Sequence, residues 1–294
     1  MVSGFLIIDK PSGATSFSMV ALVRRLTGVK RVGHAGTLDP LASGVLPVAV
    51  GQATRLIEYL DDAPKSYEAR VRFGVTTDTY DAEGEVTAER DASRVTSSAI
   101  EAVLPSFVGQ VEQRPPSYSA VKVAGKPLYR YARAGAAVEA APRTVRIDGI
   151  ELRSCADGEA EIAIRCGKGT YIRSLAHDIG ERLGCGAHLA ALRRTATGGF
   201  SIEDGHTPGE LIAARGRERL EDLLLAPDRA VERRPAMILG EAGVRALRLG
   251  RDLRIETARL AETCRAYSTE GAFLAVMTAR GRDLWHPHKV LDPV

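Results

Sequence analysis

Gly33-His34-Ala35-Gly36-Thr37-Leu38-Asp39-Pro40-Leu41-Ala42-Ser43-Gly44-Val45-Leu46-Pro47 is the stretch around which this chain is organised. It holds one His, one carboxylate, several Gly or small positions that let backbone approach closely, and two prolines. Apolar runs lie on both sides, so the spacing predicts a loop pinned between elements of a folded core. Asp39, in a turn braced by Pro40, is the first candidate for chemistry. The loop by itself does not say which chemistry.

Outward from the loop, Phe5 to Ile8 reads as a short strand closed by Asp9-Lys10-Pro11-Ser12-Gly13. Thr15, Ser16 and Ser18 offer caps for a helix in which Val20, Val23 and Leu26 recur until Gly28 stops it. Arg24, Arg25, Lys30 and Arg31 make that helix end basic, either as a solvated face or as a phosphate-contacting edge. Downstream, Ala53 to Leu60 reads as a helix, and Lys65 to Gly74 alternates strictly. Tyr67, Ala69, Val71 and Phe73 share one face opposite Glu68, Arg70 and Arg72, the pattern of a half-buried antiparallel strand. Ser98 and Glu101 form a capping-box signature for the next helix.

The texture changes at Gln113 to Arg143, where prolines and Ala-rich spacers accompany Tyr118, Tyr129 and Tyr131 among Lys122, Lys126, Arg130 and Arg133. Aromatics interleaved with cations suit RNA, because phosphates attract the cations and bases stack on the rings. Strand patterns return at Val145–Arg153 and Glu161–Cys166. Thr170 then offers a cap for a helix whose stripe is Ile172, Leu175, Ala176, Ile179 and Leu183. Arg173 falls in its first turn, where the helix dipole disfavours a cation, so its partner is expected to be an anion across a cleft. His188 to Arg194 carries another basic cluster, and Pro208 to Leu225 is helical in pattern. Asp228 to Pro235 reads as a linker, followed by a tail of about sixty residues that is too small to fold well alone and is expected to pack on the main body.

The bulk properties narrow the class. With 294 residues, 45% hydrophobic and 26% charged, the chain has the composition of a soluble globular protein with room for two domains. Only seven of the 40 Lys and Arg residues are Lys. Arg is a forked donor suited to phosphates and to stacking on bases, although a G+C-rich genome produces the same bias. Four Cys with no CxxC pair argue against a disulfide framework or a zinc site and fit a reducing cytoplasm. Cys185-x-x-His188 and His286-x-His288 lack companion ligands, so no metal site is expected. No apolar run approaches the roughly 18 residues that span a bilayer, so no membrane partner is expected.

Five motifs in order carry a family resemblance: DKPSGATS (Asp9 to Ser16), the Gly33–Pro47 loop, KSYEARVRFG around Tyr67, PPSYSAVK (Pro115 to Lys122) and KGTYIRSL (Lys168 to Leu175). Together they resemble the bacterial tRNA pseudouridine-55 synthases of the TruB family, over roughly the first 200 residues. The resemblance implies an α+β fold with a mixed, largely antiparallel central sheet flanked by helices and loops. A catalytic domain over 1–234 would contain a thumb-like RNA-clamping insertion at 113–143. Residues 235–294 are weakly similar to a small PUA-like β domain that binds RNA.

What the resemblance implies for function is isomerisation of a T-loop uridine in tRNA to pseudouridine, without cofactor or metal. The cysteine usage places it in the cytoplasm, and a monomer is expected because one chain supplies each motif. Asp39 matches the catalytic aspartate, Tyr67 the tyrosine that stacks on the target base, and Arg173 the arginine that pairs with the aspartate. Leu192 matches an apolar wall of the uracil pocket and His34 a residue that holds the flipped T loop. Tyr171, Tyr118 and Lys122 lie in the matching motifs and are taken as substrate contacts. Lys10 is grouped with them, although with Pro11 it matches a motif that buttresses the site from behind. Ala35 departs from the family, which commonly has Thr there. The rival readings are an RNA-binding protein without catalysis, which need not keep Asp39, Tyr67 and Arg173, and a carboxylate hydrolase, which would want a second acid that the motifs do not present.

Overall fold

Two sheets organise the computed structural model, which describes residues 2–136, 138–214, 217–256 and 261–291. β1 (Gly4–Lys10) runs into α1 (Ser16–Thr27). Thr15 caps that helix by accepting from the Ser18 amide at 3.0 Å, and Gly28 ends it with a left-handed φ of 68°. β2 (Val32–His34) and β3 (Ser43–Val50) bracket the Asp39 loop. A 3-10 turn precedes α2 (Ile57–Asp61), so the expected helix is divided. β4 (Lys65–Phe73) then buries Tyr67, Ala69, Val71 and Phe73 and exposes Glu68, Arg70 and Arg72, as its alternation predicts.

β5 (Val75–Thr77) and β6 (Val86–Glu89) pair as a small ribbon ahead of α3 (Ser97–Val103). The α3 cap is Thr96, which accepts from the Ala99 amide at 3.2 Å; Ser98 is already inside the helix. β7 (Gly109–Gln113) is followed by the hairpin β8 (Lys122–Val123) and β9 (Lys126–Pro127) and by α4 (Leu128–Ala132). These short elements, expected as a weakly structured loop, share a small core of Val121, Leu128 and Ala140. The long hairpin β10 (Arg143–Ala156) and β11 (Glu159–Cys166) leads to α5 (Ile172–Arg182) and β12 (Ala187–Thr197). α5 buries Ile172, Leu175, Ala176 and Ile179 of the expected stripe, while Leu183 caps the helix and is only partly buried. Each fully buried aliphatic side chain such as Ile179 contributes roughly 1.5–3 kcal/mol. β13 (Phe200–Ser201), α6 (Pro208–Ala213) and α7 (Arg217–Asp222) complete this part, so the Pro208–Leu225 pattern is two short helices, with residues 215 and 216 outside the described residues.

The main sheet has nine strands, in the order β1-β3-β12-β4-β11-β10-β7, with β2 beside β3 and β13 beside β12. It is mixed but largely antiparallel. The parallel pairing joins β12 to β3 through only two register pairs, Arg193 with Ser43 and Arg194 with Gly44. At this junction a Cβ on Gly44 would lie 2.2 Å from the Arg194 carbonyl oxygen, so only glycine lets the two half-sheets approach.

The second sheet contains β14 (Ala236–Leu239), β15 (Leu253–Arg254), β16 (Thr263–Ser268), β17 (Phe273–Ala279) and β18 (Leu284–Val290), with α8 (Glu241–Arg248) packed on it. It is docked on the first. Val276 and Leu291 join the apolar cluster of Phe5, Ala49 and Phe200, and Glu58 of α2 pairs with His288 and Lys289. The Asp228–Pro235 stretch, expected as a linker, is a packed turn: Val231 is buried in the same cluster and the Tyr267 hydroxyl donates to Asp228 at 2.7 Å.

Candidate active site

The Asp39 loop is held from three sides. The Ser16 hydroxyl accepts from the Leu38 amide at 2.9 Å and donates to the Leu38 carbonyl at 3.0 Å. The Gly13 amide reaches the Pro40 carbonyl at 2.8 Å, and the Ala42 amide closes the turn on the Asp39 carbonyl at 3.1 Å. Lys10, fully buried, sits behind it and donates to the carbonyls of Ala14, Pro11 and Pro40 at 2.7, 3.0 and 3.4 Å. This corrects its grouping with the substrate contacts. An ammonium with no exposure and three backbone acceptors braces the turn and cannot reach RNA. Burial holds its pKa below the usual lysine range, with Asp39 and Glu83 pulling the other way.

Asp39 projects from this turn with 47% of its side chain exposed, and its carboxylate meets the Arg173 guanidinium at 2.9 Å. Arg173, only 8% exposed, is the anion-seeking cation that its place in the first turn of α5 called for. It also faces a second carboxylate, Asp81, at 3.4 Å, and donates to the carbonyls of Thr79 and Tyr118 at 3.3 and 3.1 Å. Asp81 is itself fixed by the Thr79 hydroxyl at 2.6 Å and the Glu83 amide at 3.1 Å. A buried cation costs several kcal/mol unless paired and hydrogen-bonded, and here two carboxylates and two carbonyls meet it. Glu83, at the exposed edge, is pushed above the ordinary glutamate value first by burial and then by Asp81 and Asp39.

Tyr67 lies on β4 at the register position facing Arg194 of β12, and Leu192 faces Ala69 two residues along. Tyr67, Leu192 and Arg194 therefore share the face of the sheet beneath the Asp39 loop. Burial pushes the Tyr67 phenol above its usual pKa, and Arg194 beside it pulls the other way. Leu192 is partly buried against the main core. His34 ends β2 opposite Val48, at the rim of the same loop.

The clamp-like segment meets the site at the start of α5. Gln113, 3% exposed, brackets Tyr171 by accepting from its amide at 2.7 Å and donating to its carbonyl at 2.9 Å. Tyr171 itself packs against the small core of Val121, Leu128 and Ala140. It occupies the cap position of α5 without a side-chain cap; the expected cap, Thr170, donates instead to the Gly167 carbonyl at 3.2 Å. Tyr118 supplies its carbonyl to Arg173, whereas Lys122 is exposed on β8, away from these contacts. Lys126 and Arg133 lie over the rings of Tyr131 and Tyr129.

Asp81, Gln113 and Arg194 were not singled out from sequence. Each is a buried polar residue whose burial comes from elements distant in the chain. Alternation on β12 was the available signal for Arg194, but its stretch lacks the apolar period that marks a strand. His188 bonds the Val75 carbonyl at 2.9 Å, and His286 meets Asp252 at 2.7 Å, so both serve local structure.

Residues 24–172 match the model of the TruB family pseudouridylate synthase N-terminal domain, and residues 173–232 that of the tRNA pseudouridylate synthase B C-terminal domain. The chain belongs to the TruB family of pseudouridylate synthases. It is 43% identical over 289 residues to a tRNA pseudouridine synthase B of Dehalococcoides mccartyi, covering 98% of this chain and 96% of the relative. It is 45% identical over 283 residues to that of Thiobacillus denitrificans, covering 96% and 94%. Among solved structures it resembles a chain of a Cbf5-Nop10-Gar1 complex, with 28% identity, TM-score 0.78 and coverage of 99% of this chain and 85% of the other. A chain of an H/ACA RNP bound to a substrate RNA containing 2'-deoxyuridine matches with 26% identity and the same TM-score, 0.78, covering 99% and 85%.

Proposed function

We propose that this enzyme isomerises the T-loop uridine at position 55 of tRNA to pseudouridine, with Asp39 as nucleophile. The observation that carries the proposal is the half-exposed Asp39 carboxylate held at 2.9 Å by a buried arginine, above a tyrosine and an apolar wall. A paired carboxylate is ionised at neutral pH and needs no separate base to attack. Attack falls on C6 of uracil or on C1′ of the ribose. The glycosidic bond breaks, the uracil turns, and C5 joins C1′. Substrate and product are isomers, so the chemistry consumes no cofactor.

Tyr67 stacks on the flipped base and is the candidate to take the C5 proton. Arg173 pairs with the Asp39 carboxylate and orients it. Leu192 walls the uracil, and His34 helps hold the displaced T loop, offsetting the few kcal/mol that extrusion of a base costs. Tyr118 and Lys122 belong to a thumb, residues 113–143, that closes on the T loop beside Tyr171 at the start of α5, and residues 235–294 act as a PUA-like RNA-binding domain. The enzyme acts in the cytoplasm as a monomer, since one chain supplies every group. Asp39→Asn is expected to abolish tritium release from C5-labelled uridine in tRNA while tRNA binding persists; near-normal release by this variant would overturn the proposal.

A further inference from the structure

Arg194 has no part in the scheme above, yet it is 1% exposed at the junction of β3, β4 and β12. Its Nε donates to the Val45 carbonyl and its Nη2 to the Gly36 carbonyl, both at 2.7 Å. Gly36 precedes Asp39 and Val45 follows it, so a single guanidinium grips both limbs of the catalytic loop. Gly36 has a positive φ of 63°, and a Cβ there would lie 3.1 Å from Nη1, so the loop closes directly onto the cation.

Among the described residues, no carboxylate forms an ion pair with Arg194. Two carbonyls offer dipoles but no charge. The acidic group set against it is the Tyr67 phenol, on its register partner of β4. Lys10 adds to the positive charge nearby. A buried cation without a counter-anion costs several kcal/mol, and that cost falls as its neighbour takes up negative charge. Among the described residues, the neighbour whose charge couples to it is the Tyr67 phenol on the facing strand.

We propose that Arg194 is a positioning residue of the isomerisation, locking the Asp39 loop and the Tyr67 phenol into one unit and readying the phenol oxygen to accept the C5 proton. This rests on the role proposed for Tyr67 above. As base, Tyr67 acts in its phenolate form, its own proton having passed to solvent water. The C5–H bond then breaks, the proton regenerates the phenol and the electron pair restores the C5–C6 double bond. After attack on C6, the C6–O bond breaks and Asp39 leaves as a carboxylate. After attack on C1′, Asp39 has already been displaced as C5 bonds C1′, so the electrons of the C6–N1 double bond pass to N1, which takes up a proton from solvent. Three charged or titratable groups from neighbouring elements face Tyr67. Cys166 of β11 and Asp39 of the loop push the phenol upward together with burial, and Arg194 opposes them.

The test compares Arg194→Met and Arg194→Lys, alone and combined with Tyr67→Phe. Tyrosine ionisation is followed by ultraviolet absorbance, the Tyr67 signal being the part that Tyr67→Phe removes. Arg194→Met is expected to move this signal at least about one pH unit upward, since a neighbouring opposite charge is worth one to three units. At saturating tRNA, kcat at pH 7.5 should fall at least tenfold and its rise with pH should shift the same way, with KM nearly unchanged. Arg194→Lys should recover part of both. In the Tyr67→Phe background, Arg194→Met should add no pH shift. An unmoved Tyr67 signal in folded Arg194→Met, or an equal loss of kcat in both backgrounds, would overturn the proposal. Should Arg194→Met not fold, the same comparison is read from Arg194→Lys. A wild type inactive on tRNA would instead overturn the proposed function, while the absorbance arm still decides whether Arg194 governs Tyr67.

Discussion

Replacing Asp81 by Asn tests whether Arg173 needs both of its carboxylates. Asp81 is 5% exposed and meets the guanidinium at 3.4 Å, where unit charges at an effective dielectric of about 20 attract by about 5 kcal/mol. Much of that survives the substitution. Arg173 keeps Asp39 at 2.9 Å and the carbonyls of Thr79 and Tyr118. An Asn oxygen can still accept from the Thr79 hydroxyl and the Glu83 amide. What is lost is one of two counter-charges around a nearly buried cation, a net cost of about 2–3 kcal/mol. The urea midpoint should fall accordingly with an unchanged slope. Because Arg173 would then be drawn toward Asp39 alone, part of the loss should also appear in the chemical step. About 1.4–2 kcal/mol on the barrier corresponds to a roughly ten- to thirtyfold lower kcat in tritium release. A variant within about 0.5 kcal/mol of wild type, with unchanged kcat, would refute the view that the Asp39–Arg173–Asp81 chain is one electrostatic unit.

Other consequences are open to measurement. Asp178 of α5 is pushed up to about 6, first by burial and then by Glu181, from an ordinary value of 3.8. Between those pH values the folded state holds a proton that the unfolded chain releases, so its contribution to stability falls as pH rises through that window. Asp178→Asn should therefore add about 1 kcal/mol at pH 7, after allowance for solvent screening, and flatten the thermal-melt profile from pH 4 to 6. Lys10→Met should cost about 2–4 kcal/mol in urea unfolding, because three inward carbonyls lose their donor; an unaffected variant would show that the ammonium does not brace the Asp39 turn. Gln113→Ala should destabilise by about 2 kcal/mol and raise KM for tRNA more than it lowers kcat, since it frees Tyr171 and the segment packed on it.

Much of the architecture was legible because it depends on short-range pattern. The strict alternation of Lys65 to Phe73 gave β4 and the inward face of Tyr67, and the stripe from Ile172 to Ile179 gave α5. Arg173 announced a distant anion because a cation in a first helical turn opposes the helix dipole. Caps were less legible. Ser98 and Thr170 are chemically able to cap, but Thr96 begins α3 and Thr170 turns back to Gly167. The Asp228–Pro235 stretch has the composition of a linker and is nonetheless packed, because the second sheet needs the apolar cluster beneath it.

For the site, the order of residues along the chain determined a Pro-braced loop bearing Asp39, an inward tyrosine and an arginine short of a partner. Only the tertiary structure decided which groups meet. Asp81 joins Arg173 because the turn after β5 folds over α5, and Lys10 is taken from the RNA-facing set because the Asp39 turn closes over it. Adjacent arginines show the division most plainly. Arg193 reaches Asp9 with 40% of its side chain exposed, whereas Arg194 is sealed against Tyr67 and the loop. A strand turns successive side chains to opposite faces, and what waits on each face is set by strands and loops brought from elsewhere in the chain.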